Sequence, residues 1–478
     1  MRSIHADTAK TNGVFDHFFQ KCVGSGHARL ALHENYRQQI KTAVEELGFR
    51  YIRFHGLFHE DMAVCRRDKE GKLSFHFTYV DSVFDYLLSI GIRPFVELGF
   101  MPKTMASGNS TVFYWSANIT PPNEYEEWYQ LVFETVRHLV ERYGMEEVKT
   151  WYFEVWNEPN HSGFFTGTID DYFKLYDYAA KAVKDVAPEL RVGGPATAGN
   201  AWVGELIAHC RNTGTELDFI TTHTYGAGID FDEYGEKCHF IDPKDCHVVS
   251  GVDKVYSIVR ESSMPWLEIH YTEWSASSSS RDPVHDSYFS ASYILSRLKQ
   301  VQGHVDSMSY WTFSDVFEEG GPGDGEFHGG FGLLTQNGVK KPSYFAYQYL
   351  NMMKDIELAN NDPDSIVCMS DDEITVLAWD YTHNFDGQSN QSVFSKLYES
   401  SNAGKLHICL ENIPSGRYEV EVRHTGYLHN DPYSVHLSDG ELQSQNEPEI
   451  TVVEIDGIYE MELDLKTNDV YLIRLIRA

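Results

Sequence analysis

Between about residue 50 and residue 345, short apolar runs alternate with amphipathic stretches, and this rhythm predicts strands followed by helices. The runs "YIRFHGLF" (51–58), "RPFVELGF" (93–100), "TWYFEVW" (150–156), "RVGGPAT" (191–197), "DFITTHTY" (218–225), "PWLEIHYTEW" (265–274) and "SMSYWTFSDVF" (307–317) read as strands, with a further one at "GHARLAL" (26–32). Helical spacing covers 34–47, 79–90, 123–142, 169–187, 251–262 and 285–302. Strands buried on both faces are apolar throughout rather than alternating, as these are. Eight β-then-α units predict an α/β fold, a (β/α)8 TIM barrel over residues 14–350. A doubly wound open sheet is the rival, and helices of similar length favour closure.

Beyond about residue 355 the period changes to two. "DEITVLAWDYT", "KLHICLENI", "GRYEVEVRHTG", "EITVVEID" and "VYLIRLIRA" alternate apolar and polar residues between turn signals. This predicts an appended C-terminal antiparallel β-sandwich over 351–478, which the N-terminal segment 1–13 can join.

Charge narrows the function. A formal net charge of −32 would be repelled by nucleic acid and by anionic membrane, so neither is an expected partner. A neutral ligand fits best, and a homo-oligomer stays open. The seven scattered cysteines suit a reduced protein. No apolar signal region opens the chain, and no run of about 18 apolar residues interrupts it, leaving a cytoplasmic or periplasmic address. Aromatics make up 14% of the residues, enough to fill a large core and still furnish flat rings that stack on sugars.

In a (β/α)8 barrel the chemistry sits at the C-terminal ends of strands. Two of these ends carry a glutamate in nearly matching context, Asn157-Glu158 after the fourth strand and Thr272-Glu273 after the seventh. Those strands face one another across the barrel mouth, so the two carboxyls can converge on one bond. Hydrolysis of a glycosidic bond needs such a pair, one protonated and one ionised. No cofactor or metal is expected. The segment "KCHFIDPKDCHVV" holds Cys238, His239, Cys246 and His247, but zinc sites use tighter cysteine spacing, and it reads as a loop bordering the cleft.

"WNEPN", "THTY", "YTEWS…RDPVHDSY", "YWTFSDVFEE" and "GGFGLLTQNGVKKPSYFAYQYL", in this order, resemble glycoside hydrolase family 39, as do "YIRFHGLF" and "FMPKTMASG…TVFYWSANITPP". The resemblance implies a retaining, exo-acting hydrolase of terminal β-linked sugars, most of all β-D-xylosides, with a small or terminal oligosaccharide as its partner. It implies Glu158 as acid/base, Glu273 as nucleophile and Asn157 as the partner of the sugar 2-hydroxyl. It also implies that Arg53, His55, His223 and Tyr225 belong to the sugar pocket, with His223 and Tyr225 hydrogen-bonded to Glu273. Trp311 would form an aromatic floor, while Glu318 and Glu319 would bind sugar hydroxyls.

One position departs from the pattern: Ser278, within "SASSSS", stands where the xylosidases tend to have tyrosine. The same machinery acting on a β-glucoside, β-galactoside, α-L-arabinoside or α-L-iduronide therefore stays open. So does a carbohydrate-binding protein on a catalytically retired barrel.

Overall fold

The computed structural model describes residues 2–232, 234–241, 247–438 and 447–478. Eight parallel strands close into a barrel in chain order: β1 Cys22–His27, β2 Tyr51–His55, β3 Arg93–Leu98, β4 Tyr152–Val155, β5 Arg191–Thr197, β6 Phe219–Tyr225, β7 Glu268–Ser275 and β8 Ser307–Tyr310. Closure comes where Tyr310 pairs with Val23. Helices such as Glu34–Leu47, Tyr125–Tyr143 and Ile169–Val186 wrap the outside, each burying one apolar stripe. Thr168 caps the last of these in a reciprocal box with Asp171. Gly48, at φ 75°, ends the first in the left-handed region open to a residue without Cβ.

Two elements differ from the sequence pattern. The first strand is Cys22–His27, and most of "GHARLAL" forms the 3-10 turn Ala28–Leu32. Glycine conceals that strand: a Cβ on Gly24 would sit 2.4 Å from the Trp311 ring, so the position must stay bare for Trp311 to enter the barrel mouth. The eighth strand stops at Tyr310, after which Trp311 and Phe313 bond irregularly to Trp274 and Gly24.

The second unit is one continuous seven-stranded sheet rather than two separate antiparallel sheets, and it is mixed. Arg2–Val14 pairs antiparallel with Ile356–Asn360 along one side and parallel with Leu406–Glu411 along the other, which curls the sheet back on itself. The long strand Asn402–Thr425 makes this possible. Its first half meets Arg2–Asp7, and after an irregularity near Ile413–Gly416 its second half meets Val470–Arg477. Ile4, Leu358, Val376, Leu406, Val420 and Leu475 fill the interior of the curl. The unit is tied to the barrel's helices through Ser292 to Asn468 (2.9 Å) and Tyr349 to Thr425 (3.0 Å), and to the loop after β7 through Asn390 to Asp282 (2.8 Å). Among the described residues no helix is long and apolar enough to cross a membrane.

Candidate active site

The C-terminal ends of the barrel strands surround a cavity of about 430 Å³. Its lining includes His55, Asn157, Glu158, Tyr225, Glu273, Trp311 and Glu319, together with Phe113, His161, Phe164, Ile229, Ser278 and Phe331. Glu158 reaches it because the chain leaves β4 through two left-handed residues, Trp156 (φ 71°) and Glu158 (φ 46°). Such backbone is uncommon for residues with a Cβ and costs about 1–3 kcal/mol per residue. It is held by Glu158 N–H donating to the Ala196 carbonyl (2.8 Å) and Trp156 Nε1–H donating to the Phe164 carbonyl (3.0 Å).

Beneath the cavity lies a buried charge cluster centred on Arg53, which is wholly buried. Its guanidinium donates from Nε to Glu154 (2.6 Å), from Nη1 to Glu273 Oε1 (2.8 Å) and from Nη2 to the Asn157 side-chain carbonyl (2.8 Å), and Nη2 also forms an ion pair with Glu97 (2.9 Å). This engages every face of the planar fork. Because Asn157 accepts from Arg53 through Oδ1, its amide NH2 is left to donate into the cavity.

His55 donates to Glu97 (2.6 Å) and lies 3.4 Å from Glu319 and 3.5 Å from Glu273. Burial works against the charged ring, but Glu97 and Glu319 prevail and lift His55 to about 10, making it a second buried cation.

The two carboxyls of interest differ in environment. Glu273 Oε2 accepts the Tyr225 hydroxyl at 2.6 Å, so both of its oxygens are engaged. Burial pushes its carboxyl up, yet neighbouring His223, Arg53, His55 and the Tyr225 hydrogen bond together hold it below the ordinary carboxylate range. Tyr225 stays a phenol because burial and the nearby carboxylates raise it well above 10. Glu158 instead meets His223 Nδ1 at 2.9 Å. Oxygens of Glu158 and Glu273 and a nitrogen of His223 lie within 4.8 Å of one another. That trio is close enough to bracket a cation, but the Glu273 oxygens are already taken by Arg53 and Tyr225.

Not every expected residue lines the cavity. Arg53 and His223 are fully buried below it and reach it only through Glu273, Asn157 and Glu158. His223 hydrogen-bonds Glu158, not Glu273, which lies 3.6 Å away. Of the adjacent pair, Glu319 faces the cavity and Glu318 does not. Trp311 is floor-like, buried among Phe317, Phe331 and Tyr225, with Arg53 5.9 Å from its ring. Ser278 lines the wall and meets His239 at 3.4 Å across to the hairpin formed by Ala227–Phe231 and Lys237–Ile241. Cys238 lies on the same hairpin and His247 opens the helix His247–Glu261, while Cys246 falls outside the described residues.

The pattern of strand ends misses Glu154, Thr272, Phe164 and Phe331. For Glu154 the signal was present, since a glutamate inside the apolar run "WYFEVW" requires a buried cation. Nothing local marks Phe164 or Phe331.

Glu319 is a third cavity carboxyl, and burial, together with the charges of Glu273 and Glu158, lifts it from the ordinary 4.5 to about 7 despite His55. A carboxyl raised on folding favours the protonated native state. Its stabilising contribution is present below about 4.5 and is lost as pH rises through about 7. Melting temperature is thus expected to fall between pH 5 and pH 8, and Glu319→Gln to flatten that slope. An unchanged slope in thermal melts of the variant would contradict this environment for Glu319.

The family model described as glycosyl hydrolases family 39 matches residues 2–441. The chain is 46% identical to a β-xylosidase of Caldicellulosiruptor saccharolyticus over 383 residues, covering 78% of each chain. It is 42% identical to a β-xylosidase of Geobacillus stearothermophilus over 369 residues, covering 75% of this chain and 73% of the relative. A crystal structure of a monomeric β-xylosidase from Caulobacter crescentus CB15 superposes with a TM-score of 0.96 at 41% identity over the whole of both chains. A barrel with paired glutamates at its mouth and matches of this extent lead to one statement of kinship: the chain belongs to glycosyl hydrolases family 39.

Proposed function

We propose that the protein is a retaining exo-β-D-xylosidase that removes terminal xylose by double displacement. The observation that carries this reading is the separation of the two carboxyls, whose oxygens approach within 4.8 Å. Retaining enzymes place the pair about 5–5.5 Å apart, whereas inverting enzymes need about 6.5–9.5 Å to admit a water.

In the first step Glu273 attacks the anomeric carbon as Glu158 gives its proton to the departing oxygen, so the glycosidic bond breaks and an ester to Glu273 forms. In the second, Glu158 takes a proton from water, whose oxygen displaces Glu273. Arg53 and Tyr225 keep Glu273 ionised and aimed before attack, and they accommodate it as the leaving group afterwards. The Asn157 amide is oriented by Arg53 to donate to the 2-hydroxyl. Glu319 and His55 supply acceptor and donor groups for the remaining hydroxyls. Trp311 and Phe113 offer apolar faces to the pyranose. A bounded cavity of about 430 Å³ suits one terminal sugar with part of its leaving group, hence exo action. Xylose as that sugar is supported by the two relatives named β-xylosidase at 42% and 46% identity.

The test is proton NMR of an aryl β-D-xyloside during early hydrolysis, beside the matching glucoside, galactoside, α-L-arabinoside and α-L-iduronide. β-Xylose appearing before mutarotation, with the xyloside turned over fastest, is the expected result. α-Xylose as first product would overturn retention, and preference for another sugar would overturn xylose.

A further inference from the structure

The hydrogen bonds around His223 have a forced direction. Thr272 has one hydroxyl proton, and it is donated to Glu154 Oε1 at 2.8 Å, whose other oxygen receives Arg53 Nε–H. What Thr272 offers His223, 3.1 Å away, is therefore a lone pair, so His223 Nε2 must carry hydrogen. The other ring nitrogen, Nδ1, is 2.9 Å from Glu158 Oε1, and the ring is wholly buried, out of reach of bulk water. Two arrangements satisfy this contact: neutral His223 accepting from a protonated Glu158, or imidazolium donating to a carboxylate. Both hold one proton. A contact with none would set a lone pair against an anion.

On the reading that Glu158 is the acid/base, we propose that Glu158 and His223 share a single proton, and that Thr272, with Glu154 and Arg53 behind it, locks the His223 tautomer that makes this sharing possible. His223 and Thr272 are then positioning residues. In glycosylation the shared proton passes to the leaving oxygen as that oxygen's bond to the sugar breaks and the Glu273 ester forms. The pair is left one proton short, and ester formation has removed the Glu273 charge beside it. In deglycosylation the attacking water returns the proton to the pair, its oxygen bonds to the anomeric carbon, and the electron pair of the breaking ester bond goes back to Glu273. The other titratable groups facing the pair are Glu273 on β7, Tyr225 on β6, Arg53 and His55 on β2, Glu319 after β8 and His161 in the loop after β4.

The test separates proton delivery from every other role. A dinitrophenyl β-xyloside departs without protonation, whereas a methyl β-xyloside cannot, and kcat/KM reports the first step for both. Thr272→Val is expected to lower kcat/KM for the methyl glycoside by about 10–100-fold while changing that for the dinitrophenyl glycoside by less than about 3-fold. The alkaline limb of the pH profile should move to lower pH, and Thr272→Ser should restore both. Equal losses on both substrates with an unmoved profile, or no loss on either, would overturn the proposal. Glu158→Gln serves as the control. If it spares the dinitrophenyl glycoside, the acid role of Glu158 stands whatever Thr272→Val does; if it strikes both equally, that role fails instead. Should Thr272→Val not fold, 15N NMR of selectively labelled wild type reads the tautomer directly, with the His223 signal identified by its loss in His223→Gln. A His223 ring protonated only at Nδ1 would be fatal to the idea.

Discussion

Glu273→Gln is expected to lower xyloside hydrolysis by roughly 10⁴-fold or more while leaving the fold intact, because an amide is isosteric with the carboxylate but cannot form the ester. The size of the effect follows from the role. Acid catalysis can be partly replaced by a better leaving group, but no other group within reach of the anomeric carbon can take over attack. Glu319 is a cavity carboxyl too, yet it sits against His55 and is lifted to about 7, a poor condition for a nucleophile. The loss should therefore appear equally on dinitrophenyl and methyl xylosides, in contrast to a Glu158 variant. Glu273→Gln also removes a carboxylate that Arg53, His55 and Tyr225 hold below the usual carboxylate range, so its stability at neutral pH should fall somewhat while the fold is kept. Mass spectrometry gives a second reading, since a slow 2-fluoroxyloside should label wild type on the peptide containing Glu273 and leave the variant unlabelled. Labelling at Glu319 would reassign the nucleophile.

Periodicity made the barrel legible because its strands are buried on both faces and its helices on one. β5 (Arg191–Thr197) and the helix Glu34–Leu47 coincide with their sequence boundaries, the helix being ended by a glycine at Gly48. β1 was hidden for the opposite reason. "CVGSGH" has little side chain to read, since Gly24 and Gly26 yield their space to Trp311, Leu30 and Phe317. Alternation also announced the C-terminal strands, but it is blind to which strands pair. The parallel seat of Arg2–Asp7 beside Leu406–Glu411 joins segments some 400 residues apart, and no local pattern encodes it.

The candidate site divides along the same line. Strand-end glutamates could be found because a barrel assigns strand ends to one face. Which partner each side chain takes depends on distances of an ångström or less. His223 is 2.9 Å from Glu158 and 3.6 Å from Glu273, a difference that decides its role and leaves no trace in "THTY". Glu318 and Glu319 are neighbours of identical type, and only the turn after β8 determines which one meets His55.

The largest effect on stability is expected at Arg53. This side chain is the hub that neutralises Glu97 and Glu154, which are sealed from solvent, and Glu273, which meets it only through the cavity. Arg53→Met leaves three buried carboxylates with His55 as their chief remaining cation. Removing one partner from a buried pair costs about 3–5 kcal/mol, and here one cation serves three anions. Urea denaturation at pH 7 should show a loss at or above that range. The loss should shrink toward acid pH, because Glu273 is held below the usual carboxylate range. Its pairing stabilises the fold above that range and is lost as pH falls. Arg53→Lys separates charge from geometry. A lysine ammonium can satisfy the net charge but cannot span Glu154, Glu97, Glu273 and Asn157 at once, since it lacks the planar fork. Stability should recover in part, with kcat remaining low, because both Glu273 and the Asn157 amide lose the donor that orients them. Full recovery of kcat in Arg53→Lys would show that charge alone suffices and that the orientation of Asn157 does not depend on the guanidinium.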